Sequence, residues 1–174
     1  MRVTERQKFQ VLEKFDHFEL RIYEPCVLAE VSIKDSYGAA SSKAFRPLFS
    51  YITKGNQASQ SIAMTAPVIA ATDKTIQSDD WKVSFVMPAG STLKDMPLPK
   101  ESQVALREIA EERCVALSFR GRATQNLCER KEESLRLYAS QKHFSLSAET
   151  RICRFDPPFK PGFLMYNEIV IPLA

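Results

Sequence analysis

The feature that most constrains this chain is the run Ala44-Phe45-Arg46-Pro47-Leu48-Phe49-Ser50-Tyr51-Ile52, which leads through Lys54-Gly55-Asn56 into Ile62-Ala63-Met64-Thr65-Ala66-Pro67-Val68. Ala40, Ala44, Phe45, Leu48, Phe49 and Ile52 fall at the i, i+3/i+4 spacing of one helix face. A helix from about Ser36 to Thr53 is therefore expected, with Gly55 as its C-terminal stop. Pro47 stands in its middle, where a proline removes one backbone bond and crowds the preceding turn. That predicts a kink between Lys43 and Pro47, or a helix in two pieces. The plain role of such a face is to pack on a sheet. Its two phenylalanines and the following Met64 would also suit the floor of a flat apolar pocket.

Strand-like runs surround this helix. Phe9 to Glu13 alternates weakly, and Phe18 to Tyr23 and Cys26 to Ile33 read as two strands around Glu24-Pro25. Ile62 to Ala70 and Trp81 to Met87 are two more, joined by the polar stretch 71–80, and the segment 89–101 reads as a linker. The second half repeats this order. Val104 to Ala110 and Cys114 to Phe119 are strands, and Thr124 fits as the N-cap of a helix reaching about Gln141. Leu127, Cys128, Leu135 and Tyr138 lie near one face of that helix. Strands at Ile152 to Phe155 and Asn167 to Ile171 complete the half. Cys26-Val27-Leu28-Ala29 is echoed by Cys114-Val115-Ala116-Leu117 in the matching place. The expected architecture is α+β: one domain over residues 1–174 made of two ββαββ units, about 15–88 and 102–173. One helix covers only one face of four strands, so the units must pack together. A groove along their pseudo-two-fold join is the kind of concavity in which small ligands bind.

Several functional classes drop out. The formal net charge is only +3 and no run of five basic residues occurs, so nucleic acid is not indicated. No apolar run approaches the roughly 18 residues of a membrane span. Met1 to Lys14 is charged and lacks an apolar signal core, which argues against a secretory leader. Cys26, Cys114, Cys128 and Cys153 show no C-x-x-C spacing and read as small buried hydrophobes of a reduced, cytoplasmic protein. With His17 and His143 isolated from them, no metal site is expected. There is no glycine-rich phosphate loop, no Gly-x-Ser-x-Gly, and no histidine near a cysteine or serine in a strand-to-helix context, so no catalytic residue is assigned and no enzyme is expected. A pure interaction module without a small ligand stays open.

Six motifs, in order between about Val11 and Leu173, carry a family likeness. They are Phe18-Glu19-Leu20-Arg21-Ile22-Tyr23-Glu24-Pro25, the Ala44 to Ile52 run, Ile62 to Val68, Val83-Ser84-Phe85-Val86-Met87-Pro88, Phe155-Asp156-Pro157-Pro158-Phe159 and Asn167-Glu168-Ile169. Together they resemble the motif series of the SOUL haem-binding protein family. The resemblance implies a twisted, barrel-like antiparallel sheet flanked by two helices, built from a duplicated ββαββ unit. It also implies reversible binding of haem or related tetrapyrroles, for transport, buffering or sensing. Drug-sensing effector-binding domains of the gyrase-inhibitory-protein type share the fold, which makes a module for lipophilic cations the alternative. The chain departs from the pattern at Ile22, where some members carry a histidine proposed as an axial iron ligand. Met64, Met87, Tyr23 or a cysteine are the remaining ligand candidates, beside binding without a strong axial ligand.

Under this resemblance Phe45, Leu48, Phe49 and Met64, with Met87, are the expected pocket walls, and Lys43 and Arg46 the partners of the propionates. Apolar burial is worth roughly 25 cal/mol per Å², so a few hundred Å² of porphyrin face gives several kcal/mol. An exposed ion pair gives about 0 to 1 kcal/mol. Walls should set affinity, and cations orientation. Glu168 falls by alternation on one strand face with Val170, while Asn167, Ile169 and Ile171 take the other. Related effector-binding domains hold cationic ligands with an acid beside an apolar groove, so Glu168 is the residue that the alternative needs. Pairing with Arg21 or Arg107 is its plainer role.

Overall fold

The computed structural model describes residues 4–174. The first half runs β1 (Glu5–Arg6), β2 (Phe9–Lys14), β3 (Glu19–Tyr23), β4 (Cys26–Ile33), α1 (Tyr37–Ile52), β5 (Thr65–Ala66), β6 (Val68–Thr72) and β7 (Trp81–Val86). The second runs β8 (Val104–Ile109), β9 (Glu112–Arg120), α2 (Gln125–Gln141), β10 (Thr150–Arg154) and β11 (Tyr166–Pro172). Nine strands form one antiparallel sheet in the order β2-β3-β9-β11-β10-β6-β7-β4-β8, curled into a half-barrel, and β1 pairs separately with β5.

Connection lengths explain the curl. Only Glu24 and Pro25 join β3 to β4, yet these strands stand second and eighth in the sheet. Laid flat at about 4.8 Å per strand, they would be nearly 30 Å apart. Three Cα steps of about 3.8 Å reach no further than about 11 Å. The sheet must bend until its ends approach. The two-residue link from β8 to β9 imposes the same condition from the other side. Apart from β2, the order also reads alike from both ends, with β10 and β6 at its middle. The halves do not keep four strands each to themselves, however. β3 pairs with β9 and β8 with β4, so the leading strands are exchanged.

Alternation assigns the two sheet faces. Val27, Ala29 and Val31, Val83 and Phe85, Val115 and Leu117, and Ile169 and Ile171 form the main core with both helices. The intervening Leu28, Val86, Cys114, Ala116 and Val170 join Tyr23, Ile69 and Cys153 in a smaller apolar layer on the helix-free face.

Four local expectations change. First, α1 is one continuous helix that contains Pro47. The lost bond is outweighed by an inward face on which Ala40, Ala44 and Leu48 are no more than 1% exposed. Second, the left-handed residue after α1 is Lys54 at φ 82°, and Gly55 supplies the following N–H to the Ser50 carbonyl at 2.8 Å. Third, the expected strand from Ile62 to Ala70 is interrupted by Pro67, which has no N–H to give a ladder. Fourth, the expected linker is docked: the Tyr51 hydroxyl donates to the Pro97 carbonyl at 2.7 Å, and Gln57 N–H to the Leu98 carbonyl at 2.8 Å. The Thr124 cap forms as the spacing predicts, accepting from Leu127 N–H.

Candidate functional site

The expected walls divide on burial. Leu48 is fully buried and Met87 is 2% exposed, so both belong to the core, and neither side chain stands open beside α1. Leu48 faces the sheet because it continues the Ala40–Ala44 stripe, and Met87 follows β7 inward. Phe45 and Phe49 lie on the edge of that stripe and remain about half exposed, at 48% and 46%. One helical turn apart, their rings stack with centroids at 5.5 Å and planes within 13°. Phe45 also meets the core edge-on at Phe85, at 5.9 Å. Met64 is exposed at 38%. The walled pocket expected beside α1 is thus an open shelf formed by Phe45 and Phe49. Its cations already have partners: Lys43 pairs with Asp35, and Arg46 reaches both Glu101 oxygens at 3.1 and 3.4 Å. Those contacts hold both carboxyls below their usual range, Asp35 chiefly through Lys43, Glu101 through Gln103 and then Arg46.

A concavity does exist, on the other face of the sheet. A cleft of about 260 Å³ is lined by Phe9 and Val11 of β2, Arg21 and Tyr23 of β3, Pro67, Cys153, Phe155, and Tyr166 and Glu168 of β11. Alternation delivers these groups, because Glu19, Arg21 and Tyr23 share one side of β3 as Tyr166, Glu168 and Val170 share one side of β11. Arg21 and Glu168 are each 4% exposed and form a bidentate pair with two bonds of 2.9 Å. The Arg21 guanidinium also donates to Glu19 and to the Tyr23 hydroxyl, each at 2.9 Å. Its centre lies 3.9 Å from the centroid of the Phe9 ring. Tyr166 donates to Glu168 at 2.6 Å. Burial alone would lower the Arg21 pKa, yet the bonds to Glu168 and the charges nearby hold it above its usual value. Burial pushes the Tyr23 and Tyr166 hydroxyls and the Cys153 thiol upward.

The sequence model of the SOUL heme-binding protein family matches residues 4–172. The chain belongs to this family. Among solved structures it is similar to the C-terminal domain of EcmrR, at 12% identity and a TM-score of 0.70 over 95% of this chain and 98% of that one. It is also similar to a hydrolase from Listeria innocua, at 11% identity and a TM-score of 0.61 over 94% of each chain. It is similar as well to the structure of SAV2435 bound to tetraphenylphosphonium, at 12% identity and a TM-score of 0.54 over 90% of this chain and 93% of that one. At these identities the likeness is one of fold. No curated protein matches the chain.

In this SOUL protein, then, the proposed site residues fall on two faces. Lys43, Phe45, Arg46 and Phe49 are all exposed on α1, with Lys43 on the opposite flank of the buried stripe from Phe45, while Glu168 lies in the cleft on the helix-free face. Sequence reasoning placed Glu168 correctly on its strand and left its partner open between Arg21, which it takes, and Arg107, which pairs with Glu30, but gave the cleft no aromatic lining. The period-two pattern of β3 and the Phe155 motif held that signal. His17 and His143 are exposed, as a surface role requires, and His17 stacks on Tyr138 at 4.4 Å.

Proposed function

We propose that this protein binds haem or a related tetrapyrrole reversibly, as a carrier, buffer or sensor and not as an enzyme, on the outer edge of α1. The stacked Phe45–Phe49 pair carries the proposal. Two nearly parallel rings stand half exposed on a helix whose remaining large apolar residues are buried; Phe45 touches the core edge-on at Phe85, yet nearly half of each ring stays in water. Covering them removes on the order of 200 Å² from water, worth about 5 kcal/mol. A macrocycle face buries a comparable area, and association takes back at least about 4 kcal/mol. The balance favours a reversible complex. Lys43 and Arg46 would orient the propionates in exchange for their present carboxylate partners.

Of the iron-ligand candidates, Met87, Tyr23, Cys114, Cys128 and Cys153 are buried and Cys26 is half-buried against the layer on the helix-free face, whereas Met64 is exposed. By exposure, ligation by the Met64 thioether or by no protein side chain is the reading adopted. Bound haem would supply a redox-active iron and an intense Soret band. The four free thiols suit a reducing compartment such as the cytoplasm. Binding of a lipophilic cation through Glu168 would need that carboxylate free, and it already accepts from three donors.

Haemin titration followed by absorbance tests the proposal. The parent is expected to give a shifted, sharpened Soret band saturating at one equivalent. Phe45→Ala with Phe49→Ala should weaken binding at least tenfold while the far-UV spectrum stays unchanged. Equal titrations of parent and variant would remove the shelf as the site.

A further inference from the structure

We propose that Arg21 is a built-in occupant of the helix-free cleft, a tethered cation seated where a free lipophilic cation would otherwise bind. A receptor for such a cation needs an aromatic face, a buried carboxylate and a way in. The cleft has all three. Phe9 offers its ring face, Glu168 lies at the floor with 4% exposure, and the cleft is open to solvent. Arg21 uses each of the first two. Its flat face covers the Phe9 ring at 3.9 Å, and its edge takes both Glu168 oxygens at 2.9 Å. Glu19 and Tyr23 occupy further donors.

A merely structural ion pair needs none of this aromatic housing. The same sheet face carries other arginine–glutamate pairing, Arg107 with Glu30 and Arg151 with Glu112 and Glu149. Among the described residues neither guanidinium has a ring over it, and neither pair lines this cleft. The volume points the same way. About 260 Å³ stays open beside Arg21, lined by Phe9, Tyr23, Phe155 and Tyr166. Withdrawing the guanidinium arm would bring that space into the range of roughly 300 to 1,000 Å³ used for drug-sized ligands. It would also leave Glu168 without its counter-charge. Arg6 also lines the cleft, 4.9 and 5.5 Å from the centroids of Phe155 and Tyr166, but it is Arg21 that takes both Glu168 oxygens, so in the native chain this arginine closes the carboxylate to other cations and its substitution frees it.

Calorimetric titration with tetraphenylphosphonium chloride tests this on the full chain. The native protein should bind the probe weakly or not at all. Arg21→Gln, which retains an amide donor for Glu168, should bind it at least tenfold more tightly. Adding Glu168→Gln to that variant should abolish the gain. Native binding as tight as that of Arg21→Gln would overturn the proposal, as would a folded Arg21→Gln with no gain, or a gain that survives loss of Glu168. If Arg21→Gln does not fold, the NMR signal of the native Arg21 Nε–H decides. It should stay unmoved at millimolar probe, and a saturable shift would show the cation displacing the side chain and refute occupancy. Haemin binding of Arg21→Gln should equal the native value, so this test and that of the α1 shelf fail separately.

Discussion

Leu48 and Phe49 are neighbours in the chain with opposite roles. Leu48 is sealed between helix and sheet, so Leu48→Ala should cost about 2 to 5 kcal/mol in denaturant unfolding. Phe49→Ala removes a ring that is nearly half in water, and should change stability far less than haemin affinity. Helical spacing places both on one stripe, because a stripe about 100° wide does not say where burial ends. The thiols divide in the same way: the expectation of small buried hydrophobes holds for Cys114, Cys128 and Cys153, whereas Cys26 is only half-buried. Burial pushes Cys114 and Cys128 up to about 12 from an ordinary 9, and raises Cys26 and Cys153 as well. A raised thiol pKa contributes stability that is whole below pH 9 and is lost as pH climbs towards 12. In the native protein at pH 8, a thiol reagent should therefore label the half-buried Cys26 first, and the other three only on unfolding.

Among the elements, α1 shows how much a local pattern decides. Its extent, from Tyr37 to Ile52, lies one residue inside each expected end. Its termination was misassigned because two adjacent positions share the work. Lys54 takes the left-handed conformation at φ 82°, while Gly55 is needed for closeness: a Cβ there would lie 2.4 Å from the Ser50 carbonyl oxygen. Lys54→Gly should accordingly raise stability by up to about 1 kcal/mol. Gly55→Ala should lower the melting temperature and loosen the end of the helix that bears Phe49. The strands β3 and β4 were legible from alternation almost to the residue, since each has one face on the main core. Pairing across the sheet was not. Arg21 and Glu168 are 147 positions apart, and no local signal ranks Arg21 above Arg107 as the partner of that acid.

For the molecule as a whole, the strand order is the feature that sequence self-similarity reached only in part. The ββαββ repeat was visible as an echo of short motifs. The exchange of β3 and β8 between halves follows from where the two-residue links must reach in three dimensions, not from any composition. The palindromic order fits a duplicated unit, and the cross-strand register adds an echo of its own. Glu168 faces Ser118 in one half, and Glu30 faces Ser84 in the other. An arginine from an exchanged strand neutralises each acid, Arg21 from β3 and Arg107 from β8. This arrangement gives the protein two different surfaces: an open aromatic shelf outside α1, and a charge-filled cleft behind the sheet. The central claim is that the tetrapyrrole takes the shelf. NMR mapping with a diamagnetic metalloporphyrin tests it most directly. The largest shifts should cluster on α1 around Phe45 and Phe49, with Tyr23, Tyr166 and Phe155 unmoved; shifts centred on those three cleft residues, with α1 silent, would contradict the account.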